Sequence, residues 1–148
     1  MVQFNHCNNP LYILNGVHVL MHFIALFCLT IMWDGTRIFI EIINFWYAQQ
    51  LVSVLCLLFT LVISGYVCFG GLFDQPVLGS WPKQRIEIIH AIGLAALILS
   101  VGLQTWTVFS AWAVTFFMAR YLIACISSWI LLLSWIGFLV LHLLKVRH

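Results

Sequence analysis

The sequence predicts an all-α polytopic membrane protein, a four-transmembrane-helix bundle with both termini cytoplasmic. Three observations predict it. Of the 148 residues, 64% are hydrophobic and only 7% charged, and the mean hydropathy is +1.11. A soluble domain carries about 25% charged residues, and a chain this short buries too little surface to hide such an apolar excess from water. The few charges also cluster between long uncharged runs, each able to supply the roughly 20 apolar residues that a span needs. Finally, Trp33, Trp46, Trp81 and Trp106 fall near the ends of those runs, where an aromatic belt places them.

No Asp, Glu, Lys or Arg occurs before Asp34, so the first span is expected over residues 10–33. Asp34, Arg37 and Glu41 then form a short polar turn with Asp34-Gly35 as its breaker. The uncharged run that follows has its expected span at 47–69. Glycines and prolines between Gly70 and Lys83 mark a loop. A third span is expected at 86–106 and a fourth at 120–144, before the basic tail Lys145-Val146-Arg147-His148. Residues 107–119 are too apolar for a solvated loop and too few for a fifth span. They are expected to extend a neighbouring helix or to lie in the interface. The whole chain, 1–148, reads as one transmembrane domain.

Lys83, Arg85, Lys145 and Arg147 would lie on one side and only Arg37 and Arg120 on the other, which puts the termini in the cytoplasm. The N-terminus has no basic region or small-residue cleavage site, so the first apolar segment is expected to be retained. Six basic residues, scattered, make no patch for nucleic acid. The five cysteines include no C-x-x-C pair. Cys28 and Cys56 read as small hydrophobes, and Cys7 and Cys68 as candidates for S-palmitoylation.

Helices in lipid associate through small residues and a few polar contacts. The third span offers Ala91, Ala95, Ala96, Ser100 and Gly102, and the fourth Ala124 and Ser128, with Ser134 and Gly137 continuing the stripe. These residues are the expected packing face, within the bundle, between copies of the chain or against partner membrane subunits.

Ionisable groups inside a span are functional suspects. His18 and His22 lie one turn apart on the first span, His90 on the third and His142 near the end of the fourth. His18 would lie about eight residues in, roughly 12 Å at helical rise, and His90 and His142 near the same end. Three helices could thus bring histidines towards one level, as bis-histidine ligation of haem b requires, with nearby Lys and Arg for the propionates. Satisfied structural histidines are the favoured reading, with no cofactor, and a haem b electron-transfer subunit is the alternative.

Glu87-Ile88-Ile89-His90 is a single Glu-x-x-His pair, whereas a di-iron bundle needs two with further carboxylates. The acidic supply is only Asp34, Glu41, Asp74 and Glu87. No metal set or catalytic residue is assigned, and no hydrolase or nucleotide motif occurs.

The stretch Gly79-Ser80-Trp81-Pro82-Lys83-Gln84-Arg85-Ile86-Glu87-Ile88-Ile89-His90-Ala91, with the four-span layout and short basic tail, resembles the MARVEL-domain proteins of the myelin-and-lymphocyte-protein and chemokine-like-factor type. The layout covers the whole chain, the sequence likeness that stretch alone. It implies a non-enzymatic role in membrane apposition, vesicle trafficking or lipid-domain organisation. Two features depart from the family: the apolar segment 107–119 and the His18/His22 pair. The function expected is that of a non-enzymatic packing, membrane-organising or complex-assembly subunit, with the lipid bilayer and further membrane subunits as partners.

Overall fold

The computed structural model describes residues 10–33, 36–40, 49–72, 81–110 and 118–145. Four helices carry the fold: α1 (Pro10–Thr30), α2 (Gln49–Leu72), α3 (Lys83–Ser110) and α4 (Met118–Lys145). All four are long and apolar enough to cross a membrane. At ~1.5 Å per residue the shortest, with 21 residues, is about 31 Å long, the thickness of the hydrocarbon core.

Local chemistry sets several of the ends. Pro10 occupies the first helical position of α1, where its missing N–H costs nothing. Pro82 starts α3 through its carbonyl, which accepts from the N–H groups of Arg85 (3.0 Å) and Ile86 (3.4 Å). α3 runs on to Ser110, so part of the apolar connection does extend a helix. Residues 111–117, like Gly79 and Ser80 of the loop before α3 and the acidic residues Asp34, Glu41 and Asp74, lie outside the described residues.

The end of the first span needs correction. Helix α1 stops at Thr30, and Ile31–Trp33 (β1) pairs antiparallel with Ile38–Ile40 (β2), Met32 opposite Phe39. Isoleucines flanking an Asp-Gly dipeptide favour a hairpin over another helical turn.

The buried positions recur at alternating steps of four and three. In α1 they are Leu11, Asn15, His18, His22, Ala25 and Leu29. In α3 the series runs Ile86, His90, Gly93, Leu97, Ser100, Gln104 and Thr107. That is the heptad spacing of helices packed nearly parallel or antiparallel, knobs into holes. The seams run antiparallel: Gln50 of α2 meets Leu29 of α1, while Thr60 meets His22. Each helix packs on its neighbours in sequence, and α4 closes the ring on α1. The beginning of α1 and the end of α4 therefore share one end of the bundle.

Exposure is inverted relative to a soluble protein. The outer surface carries Phe23, Phe27, Phe59, Val62, Ile98 and Leu133, while Asn15, His22, Thr60, Ser64 and Ser128 are wholly buried. Hydrocarbon is the solvent this pattern suits, because it accepts the exterior and leaves the polar groups to find each other.

Candidate functional site: a buried histidine and aromatic cluster

Two polar layers occupy the interior. At the hairpin end the bonds are made helix to helix. The Gln50 amide donates to the Leu29 carbonyl (2.8 Å), and the Tyr121 hydroxyl donates to Gln50 Oε1 (2.8 Å), joining α1, α2 and α4. Below them Ser128 donates to Gln104 Oε1 (3.1 Å), and Gln104 donates to Ser100 Oγ (2.9 Å). Ser100 in turn donates to the Ser53 carbonyl (3.3 Å), which extends the chain of bonds from α4 through α3 to α2. In lipid such a bond contributes about 0.6 kcal/mol on average. Its larger effect is on register, since each donor has one acceptor at one height.

The opposite end holds the histidines. His18, His22, His90 and His142 are all buried, at 1%, 0%, 2% and 7% exposure. Heptad positions on α1 and α3 point the first three inward, and α4 supplies Trp135, Phe138 and His142 from one face. His18 stacks on Trp135 (ring centroids 5.2 Å apart, planes at 22°), and His90 lies 5.4 Å from the same indole. Phe138 stacks with His90 at 4.4 Å and 11° and with His142 at 6.1 Å and 4°. The structure thus brings histidines of α1, α3 and α4 together, with aromatic rings of α4 interleaved among them.

Hydrogen bonds fix two of the rings. His22 Nδ1–H donates to the His18 carbonyl at 2.6 Å, and Nε2 lies 2.7 Å from Thr60 Oγ1. That contact pins α1 to α2, and the same Thr60 hydroxyl also lies within donating distance of the Cys56 (3.0 Å) and Leu57 (3.2 Å) carbonyls of its own helix. His90 Nδ1–H donates to the Ile86 carbonyl at 2.8 Å, which leaves Nε2 a lone-pair acceptor without a hydrogen bond. The Trp135 Nε1–H donates to the His90 carbonyl (3.0 Å), tying α4 to α3. Both ring nitrogens of His18 and Nε2 of His142 are buried without a hydrogen-bond partner.

A haem b held by His18 with His90, or by His90 with His142, would require the aromatic ring between them to move. The space between His18 and His90 is taken by Trp135, and that between His90 and His142 by Phe138. Among the described residues, no group of three or more His, Cys, Asp or Glu side chains is placed to hold a metal ion.

The small-residue face divides in two. Ser100, Ala124 and Ser128 are buried inside the bundle, and Ala96 is half-buried. Ala91 and Ala95 are exposed on the outside of α3 among the described residues, as is Gly102. A close approach falls instead at Gly93, where an added Cβ would sit 2.6 Å from Trp135 Cζ2. Sequence reasoning missed Gly93, Trp135, Phe138 and Thr60. A signal was present in Trp135, a tryptophan far from either end of its span, because an indole N–H in hydrocarbon requires an acceptor.

Comparison with known proteins finds no matching family model, no matching curated protein and no matching solved structure.

Proposed function

We propose that this chain is a multi-pass integral membrane protein that acts by packing, as an assembly or membrane-organising subunit without a reaction of its own. The observation that carries this reading is the outer face of α3. Ala91, Ala95 and Gly102 recur there at helical spacing, exposed and unused by the bundle's own core. Ala91 and Ala95, one turn apart, let a second helix come close there, with the exposed Ile88 and Ile98 packing beside it, and such van der Waals packing is one source of association in lipid. The interior supports the same reading. Its histidines pack on aromatic rings, and Gln50, Tyr121, Gln104, Ser128 and Ser100 tie helix to helix, a core suited to presenting a fixed outer surface. The partner is a second copy or another membrane subunit. The MARVEL-type likeness over Gly79–Ala91 would make the setting membrane apposition, vesicle trafficking or lipid-domain organisation.

Replacing Ala91 and Ala95 together by leucine should lower association at least tenfold in a membrane dimerisation or co-purification assay while leaving the melting temperature of the bundle unchanged. Undiminished association of a well-folded double variant would remove this face from consideration.

A further inference from the structure

A groove opens between α2 and α3 at the end of the bundle that carries the histidines. It is half-open, about 160 Å³ in volume, and lined by Val62, Tyr66 and Val67 of α2, Trp81 just before α3, and Ile86 and Ile89 of α3. One side of His90 closes the back, and the walls present carbon only. Tyr66 and Trp81 form a tilted pair, ring centroids 5.6 Å apart, at the rim. Amphipathic rings of this sort settle at the boundary between hydrocarbon and headgroups.

Among the described residues, the roughly 100° step of the helix places one charge on the groove's side of α3. Helix α2 contains no charged residue, and on the α2-facing side of the first turns of α3 the charged side chain is Arg85, exposed and one helical turn before Ile89. Lys83, also exposed, lies in the same turn but further round the helix, and Glu87 projects towards the α4 side. The backbone N–H groups of that first turn add positive potential beside Arg85.

We propose that this groove is a binding site for one anionic glycerophospholipid. An acyl chain lies against Val62, Val67 and Ile89, and the phosphate meets Arg85 at the rim of Tyr66 and Trp81. A zwitterionic lipid offers the same chains but no net charge to the guanidinium. The inference rests on membrane insertion and not on the α3 packing face, which lies round the helix from Arg85.

The full chain is reconstituted in nanodiscs of phosphatidylcholine with phosphatidylglycerol, and the lipid retained on release is counted by native mass spectrometry. One phosphatidylglycerol per chain should remain. Arg85→Gln should weaken retention about fivefold, the effect of one surface cation on an anionic lipid. Val62→Trp, at a side chain 69% exposed, is designed to fill the groove from its outer edge and should abolish retention. Helix content by circular dichroism shows that both variants fold. Retention that survives Val62→Trp would overturn the groove, leaving only a headgroup contact. Equal retention of phosphatidylcholine would overturn the charge selection, and no lipid held beyond the annular shell would overturn the site outright.

Discussion

Gly93 and Trp135 meet in close contact between α3 and α4, and their fit is steric before it is polar. The indole is buried, stacked by His18 on one side and approached by His90 on another, and anchored through its N–H, so it has no room to retreat from a methyl group. Gly93→Ala should therefore destabilise the bundle by about 1–3 kcal/mol through overpacking, against a gain of no more than ~1 kcal/mol from helix propensity. Gly102 is the internal control, because a Cβ added there meets nothing within 4 Å. Gly102→Ala should be neutral or slightly stabilising. Unfolding of both variants in mixed micelles gives the comparison, and equal stability of the two would show that the seam is looser than the structure describes.

At the scale of the element, α4 organises the histidine end, because it inserts two rings between α1 and α3. His18 and His90 each pack on Trp135, and His90 and His142 each pack on Phe138. On the packing reading proposed above, imidazole so enclosed is a flat packing unit, and the purified protein should show no Soret band. A band that disappears in a His90→Ala variant would mean that α4 rotates its rings away to admit haem. The four helices themselves were legible in the sequence, since lipid excludes charge and the charge-free runs betray each element. Helix rotation was much less so. In a helix that is apolar all round, hydrophobic periodicity does not distinguish inside from outside, which is why Ala91 and Ala95 could not be separated from Ala124 and Ser128 by residue type. Polar spacing does carry that information: Asn15, His18 and His22 on α1 already trace the heptad seam that Ala25 and Leu29 continue. The hairpin was missed for a different reason. Ile31–Trp33 is as apolar as the helix before it, and only the pairing across to Ile38–Ile40 marks it as strand.

On the scale of the whole molecule, antiparallel seams put the hairpin and the start of α3 at opposite ends. α1 runs from the histidine end to β1, α2 returns, and α3 sets out again at Lys83. Whichever way the bundle inserts, Thr36 of the hairpin and Lys83 must face different compartments if all four helices span. Both are exposed, so each can carry a probe without disturbing the core. The distribution of Lys and Arg argues for Lys83 inside, where short loops retain positive charge. In a variant stripped of its own cysteines, a membrane-impermeant thiol reagent applied to intact cells should label Thr36→Cys and leave Lys83→Cys unmodified until the membrane is permeabilised. Labelling of the opposite pattern would invert the orientation and move the proposed anionic-lipid groove to the outer leaflet, where the supply of such lipids is poorest. Labelling of both positions in intact cells would go further: the two ends would share a compartment, and the bundle would not cross the bilayer as four antiparallel spans.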